Sequence, residues 1–223
     1  NDLNKNITEF SSIYPPFLAR DLVFKNNSLV TRNNKLISPA HYFYYTNLIF
    51  DLVIDKKNGE KTHNYSTDRI EAFYSGMLFN NINDINDSRQ TVFNYSYNIF
   101  QKKLMSFENK QAFVIDLQNF FDSIQIHQLL TILNAKYPNE KVDRLKQFFE
   151  AFNIETLPQF HYSIASSILS QEYLCGFDME LNDLLDEMDF YLIRFVDDMY
   201  FFNEGNDRQE KEIHDMLDQI NKM

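Results

Sequence analysis

The chain has 223 residues, 44% of them hydrophobic, with 22 Phe, 13 Tyr, no Trp and a formal net charge of −11. That apolar content excludes wholesale disorder and fits one domain or one and a half. The single cysteine, Cys175, excludes a disulfide framework and a cysteine-built zinc site, and favours a reducing, intracellular setting.

Residues 1–37 read as irregular, punctuated by Pro15-Pro16 and by Asn pairs at 26–27 and 33–34. Ser38-Pro39 predicts an N-cap with Pro at the first helical position, opening a helix over about 41–53. Residues 56–65 form a polar loop centred on Asn58-Gly59. Asp68 with Glu71 three positions later predicts a helix running to Leu78. A loop over 80–87 and a long helix from Ser88 to about Met105 follow.

The pattern changes at Gln111. Ala112-Phe113-Val114-Ile115 is short, apolar and partly β-branched, and predicts a buried strand. Helices are expected over about 126–135, 141–152 and 162–187, with breaks at Tyr137-Pro138 and Pro158. Residues 190–196 and 199–202 predict two apolar strands of a tight hairpin with Asp197-Asp198 at its turn. Residues 208–221 predict an amphipathic helix. The chain opens on Asn1 and ends at Met223 within that helical pattern, so sequence is expected to be missing at one or both ends.

Four isolated glycines, at 59, 76, 176 and 205, provide no P-loop and no dinucleotide fingerprint. No apolar run approaches the roughly 18 residues of a membrane span, so no membrane association and a cytoplasmic location are expected. The acidic balance weighs against a broad electrostatic hold on nucleic acid. Yet the charge is uneven: residues 1–110 carry 13 basic and 11 acidic residues, whereas 111–223 carry 8 and 21. The second half has either an ordinary acidic surface or acid gathered around a cation site.

Asp116 ends an apolar strand, and Asp197 and Asp198 lie at the tip of an apolar hairpin. Carboxylates at such positions are costly unless solvated, paired or bound to a cation. Arg194 lies three positions before the pair, and no basic residue follows it closely. Three such carboxylates suit hard divalent cations such as Mg²⁺, two of which can clamp the oxygens of a phosphoryl transfer. The plainer reading is an Asp-Asp turn, since Asp tolerates turn geometry.

The run Phe113-Val114-Ile115-Asp116-Leu117-Gln118-Asn119-Phe120-Phe121-Asp122-Ser123-Ile124 resembles motif A of reverse transcriptases. Tyr191-Leu192-Ile193-Arg194-Phe195-Val196-Asp197-Asp198 resembles their motif C. Between them, Leu157-Pro158-Gln159, the Ser/Ala-rich helix start at 163–167, Tyr173-Leu174 and Asp178 resemble motif B. The order A, B, C carries the resemblance over about 111–203. Lys35-Leu36-Ile37-Ser38-Pro39 faintly resembles a fingers segment. Asn64-Tyr65-Ser66 and the helix before motif A look most like the bacterial abortive-infection, defence-type group.

The resemblance implies an α+β fold: a reverse-transcriptase-like palm (111–223), an antiparallel sheet with helices on one face, after a mostly helical fingers region (1–110). It implies an RNA-directed DNA polymerase-like nucleotidyltransferase, a transferase adding deoxynucleotides to a 3′-hydroxyl or a protein hydroxyl, with a role in antiviral defence. Asp116, Asp197 and Asp198 match the catalytic, metal-binding acids, with the Leu117 carbonyl also facing a metal. Two Mg²⁺ ions are implied, with Mn²⁺ as substitute. Deoxynucleoside triphosphates are the implied partners, with an RNA or DNA template or primer and room for a homo-oligomer. Phe121 matches the steric gate that crowds a ribose 2′-hydroxyl, or is simply a core aromatic. Gln159 matches a nucleotide-binding Gln, or only hydrogen-bonds at the start of the following helix. Lys35 falls in the nucleotide-binding fingers segment.

The sequence departs from the family where Phe160, not Gly, follows Pro158-Gln159, and the motif B Ser lies at Ser163 or Ser166. This puts nucleotide and template contacts by motif B in doubt and leaves the metal site untouched. Residues 203–223 supply one palm helix, so a thumb is expected outside these residues, and activity of this stretch alone is not implied. Two other classes compete. A palm-type nucleotidyl cyclase would carry a Gly-Gly hairpin, which is missing. A non-catalytic palm-fold scaffold would act by assembly with partners.

Overall fold

In the computed structural model, placement is described for residues 7, 9, 15–25, 28–53, 65–73, 96–117, 119–159, 164–203 and 210–220. The expected loops at 56–64 and 80–87, and the first turns of the helix expected from Ser88, lie outside these. The elements in chain order are β1 (Phe17–Lys25), β2 (Ser28–Leu36), α1 (Pro39–Val53), β3 (Tyr65–Ser66), β4 (Ile70–Phe73) and α2 (Ser96–Met105). Then come β5 (Ala112–Asp116), α3 (Phe120–Ser123), α4 (Ile126–Lys136), α5 (Asn139–Ala151), α6 (Ile164–Glu187), β6 (Phe190–Phe195), β7 (Asp198–Asn203) and α7 (Glu210–Ile220). The fold is α+β. No helix among the described residues is long and apolar enough to cross a membrane.

Contacts divide the chain into two compact units, each built from two stretches: Asn1–Ile54 with Asn119–Ser170, and Asp55–Gln118 with Gln171–Met223.

In the first unit, α1 opens as its sequence predicts. The Ser38 hydroxyl accepts from the His41 backbone N–H at 3.4 Å and contacts His41 Nδ1 at 2.8 Å, capping the helix with Pro39 at its first position. Buried His41, Tyr45, Ile49 and Leu52 recur at three- and four-residue spacing. Against them lies the buried stripe of α5: Val142, Leu145, Phe148 and Phe149. The Tyr45 ring stacks on Phe148 with centroids 5.0 Å apart. Full burial of such side chains stabilises by about 1.5–3 kcal/mol each.

The region read as irregular contains a nine-residue antiparallel ladder, β1–β2, closing on Lys25 opposite Ser28. Neither strand alternates cleanly: β1 runs its apolar residues in blocks around Arg20-Asp21, and β2 carries the polar run Thr31 to Lys35, so the period-2 signal of a half-buried strand is hidden.

The second unit is built on a five-stranded sheet in the order β3-β4-β6-β7-β5, parallel between β4 and β6 and antiparallel elsewhere. The helix expected from Asp68 is not formed. Thr67–Ile70 is instead a tight turn, with Thr67 N–H donating to the Ile70 carbonyl at 2.8 Å. Residues 70–73 then run as a strand, stabilised by pairing with β6, which local capping rules do not register. One sheet face carries Ile70, Leu192, Met199 and Phe201, packed against Leu181, Leu184 and Leu185 of α6 and Met216 of α7. The other carries Phe73, Ile193 and Phe202, packed against Phe100 of α2. Helices therefore lie on both faces, not one, and the described residues between 17 and 105 form four strands as well as two helices. β5 occupies the end of the strand order, and its Val114 is 57% exposed, so this strand is buried on one face only.

Candidate active site

Strand alternation decides where the acids lie. Phe113 and Ile115 pack with the α6-side core, opposite Phe201 and Met199. Asp116 and its partner Asp198 therefore fall on the other face, at the same end of adjacent strands. Cross-strand partners have Cβ atoms about 4.5–5.5 Å apart. Both acids are partly buried, as is Asp197.

The hairpin turns one residue earlier than its sequence predicts. Phe195 pairs with Asp198, so the two-residue turn is Val196-Asp197, and Asp198 already belongs to β7. Val196 has φ 53°. A β-branched residue in the left-handed region costs on the order of 1–3 kcal/mol and persists only where its surroundings over-determine it. The surroundings here are specific. Val196 N–H donates to the Phe73 carbonyl at 2.9 Å, and the Val196 carbonyl accepts from Arg194 Nη1 at 2.9 Å. The Leu117 N–H donates to the Asp197 carbonyl at 3.4 Å, tying the chain after Asp116 to the turn. The Leu117 side chain packs on the α6-side core.

Arg194 does not neutralise the acids. Its guanidinium lies buried against α6, with Nε 3.2 Å from Asp178 Oδ1 and Nη2 2.8 Å from Gln171 Oε1. Nη2 also pairs with Asp178 Oδ2, and both side chains of this ion pair are fully buried. Elsewhere on the acids' face, Glu71 is matched by Lys103, at 2.6 Å, and by the Tyr191 hydroxyl, at 3.1 Å. Tyr200, two residues beyond Asp198, has its hydroxyl pKa raised by burial and then by the negative charge of Asp198.

Among the described residues, no group of three His, Cys, Asp or Glu side chains is gathered closely enough to hold a metal ion alone. Magnesium does not need such a cage. It is usually bound by one or two carboxylates and completes its shell with water and substrate phosphates. Two opposed carboxylates with a third acid beside them form a donor set of hard oxygens that fits this requirement.

The structure thus brings Asp116, Leu117, Asp197 and Asp198 together in the second unit. The other expected site residues belong to the first. Phe121 is partly buried and meets Phe120 edge-on at 5.4 Å. Gln159 is partly buried and follows Pro158, whose carbonyl accepts from the Ser166 hydroxyl at 2.6 Å. Ser166 is buried, while Ser163 lies outside the described residues. Lys35 sits on β2 opposite Leu18.

Gln171 and Asp178 gain roles that sequence reasoning did not give them. A signal for Asp178 was present. Leu174, Leu181 and Leu185 mark a buried stripe at helical spacing, and Asp178 falls within it. Between Lys146 and Arg208, Arg194 is the sole Lys or Arg, hence the natural partner for a buried acid.

No family model matches the chain, and no curated protein matches it.

Proposed function

We propose that the protein is a nucleotidyltransferase of the reverse-transcriptase type, adding deoxynucleotides to a 3′-hydroxyl or a protein hydroxyl. The observation that carries this reading is the opposition of Asp116 and Asp198 across β5 and β7, with Asp197 in the adjoining turn. The element order supports it: a strand ending in Asp, a long helix, a hairpin turning on Asp, and a second helix on the same face as the first. That order is the one the motif A, B and C resemblance implies for a palm.

Asp116, Asp197 and Asp198, with the Leu117 carbonyl, are the groups that would hold Mg²⁺. Bound there, Mg²⁺ supplies positive charge against the phosphate oxygens of a nucleotide. The protein's own contribution is positioning. The sheet fixes Asp116 against Asp198, and the Val196-Asp197 turn presents the third acid, so little reorganisation is needed when a triphosphate arrives. Phe121 serves as the gate against a 2′-hydroxyl and Gln159 as a nucleotide contact, with Lys35 on the fingers side. A cytoplasmic role in bacterial antiphage defence follows from the abortive-infection resemblance.

The test is incorporation of labelled deoxynucleotides by the full-length protein with Mg²⁺ or Mn²⁺, with and without template. Metal-dependent incorporation is expected. Failure under every condition would move the assignment to a palm-fold scaffold.

A further inference from the structure

We propose that Arg194 is a positioning residue for the candidate site, clamping the Val196-Asp197 turn from the opposite face of the sheet. The proposal rests on the reading of Asp116, Asp197 and Asp198 as metal-holding acids.

The geometry goes beyond what charge balance requires. Arg194 and Asp178 are both 0% exposed, and the pair is held by two N–H···O bonds. Gln171 Oε1 accepts a further N–H at 2.8 Å. A planar guanidinium with five donors has N–H groups to spare. One of them, on Nη1, reaches forward along the chain to the carbonyl of Val196, two residues ahead. The peptide groups of Val196 are thereby fixed on both sides, its N–H by β4 and its carbonyl by Arg194.

Of the two residues in this hairpin turn, Val196 is the one with a left-handed backbone, and it directly precedes Asp197 and Asp198. A valine released from both bonds would relax toward negative φ and carry Asp197 with it. Arg194 therefore transmits the rigidity of α6, through Asp178 and Gln171, to the acids on the far face. A lysine cannot do the same, because a single ammonium lacks the planar fork that spans Asp178 and the Val196 carbonyl together.

Truncating Arg194 alone would strand the Asp178 charge in the core, so the test uses a paired apolar replacement, Arg194→Met with Asp178→Leu, in the full-length protein. The readouts are thermal melting and Mn²⁺ affinity by electron paramagnetic resonance. The paired variant is expected to melt cooperatively and to bind Mn²⁺ about tenfold more weakly, the usual effect of removing an outer support of a metal site. Adding Val196→Gly, which removes the penalty for positive φ, is expected to recover about threefold of that loss. Wild-type Mn²⁺ affinity in the folded paired variant would overturn the clamp. So would a loss that Val196→Gly leaves unrepaired, which assigns Arg194 to the ion pair alone. If the paired variant does not melt cooperatively, Arg194→Lys carries the same two outcomes. Asp197→Ala separates the clamp from the reading beneath it. Abolished Mn²⁺ binding in Asp197→Ala with intact binding in the paired variant sinks only the clamp. Wild-type binding in Asp197→Ala sinks both.

Discussion

Asp116 and Asp198 are direct cross-strand partners, two like charges held opposite each other at the end of adjacent strands. Such pairs destabilise a sheet by about 0.2–1 kcal/mol. Asp198→Asn is therefore expected to raise stability by about that amount while removing one of the acids proposed to hold metal. Mg²⁺ should raise the melting temperature of the wild type more than that of the variant, because binding to the native state alone adds stability. Thermal melts with and without Mg²⁺ measure both effects. A variant less stable than wild type in the absence of metal would count against the repulsion.

Phe121 lies five residues beyond Asp116, partly buried beside a Phe120 that is 6% exposed. Phe120 fills the core position, and the proposed function casts Phe121 as the gate. Phe121→Val is expected to raise ribonucleotide incorporation relative to deoxynucleotide incorporation by about tenfold or more, the scale on which removing a steric clash of a few kcal/mol acts. Unchanged discrimination would refute the gate.

His41 is 2% exposed, edge-on to Phe152 at 4.8 Å, and burial lowers its pKa from the ordinary 6.5. A lowered histidine pKa means that the fold prefers the neutral ring. Its contribution is complete above the unfolded value of 6.5 and is lost as pH falls through that value toward the depressed one. Stability should therefore decline between neutral pH and about pH 5, and His41→Gln should flatten that part of the profile. Urea melts at several pH values decide it; an equally steep acid limb in the variant would contradict the assignment.

Ser166 spends its one proton on the Pro158 carbonyl, so Tyr45 OH donates to Ser166 across 3.1 Å. Ser166→Ala removes two buried hydrogen bonds at once and should cost about 1–3 kcal/mol, whereas Tyr45→Phe removes one bond and should cost about 0.5–1.5 kcal/mol. Equal destabilisation by the two substitutions would argue against the shared hydroxyl.

Much of the second unit was legible because its signals are local. Phe113, Ile115, Leu192, Met199 and Phe201 give short apolar strands, and in the first unit the breaks at Pro138 and Pro158 likewise separate the helices. The expected hairpin formed with its two-residue turn one position earlier than read, because an apolar-aspartate run does not reveal that Val196 takes the left-handed position. The β1–β2 ladder was illegible because β1 groups its apolar residues in blocks and β2 carries a polar, Asn-containing run, so neither shows strand alternation. β4 was misread because Asp68 and Glu71 mimic a capping box, while the strand depends on β6, more than a hundred residues away. The acids of the site were legible as residues, but their opposition across β5 and β7 is a matter of register, which only the folded sheet reveals. Arg194 was visible as a neighbour of the Asp pair; that it faces Asp178 follows from strand alternation combined with the buried stripe of α6.

The central claim is that Asp116, Asp197 and Asp198 hold the cations of a nucleotide-adding site. Its most direct test is incorporation of labelled deoxynucleotides by full-length wild-type and Asp197→Ala proteins in Mg²⁺, with folding of both verified by thermal melting. The account predicts metal-dependent incorporation by the wild type and none by Asp197→Ala at nearly unchanged melting temperature. Incorporation by Asp197→Ala at the wild-type rate would contradict it.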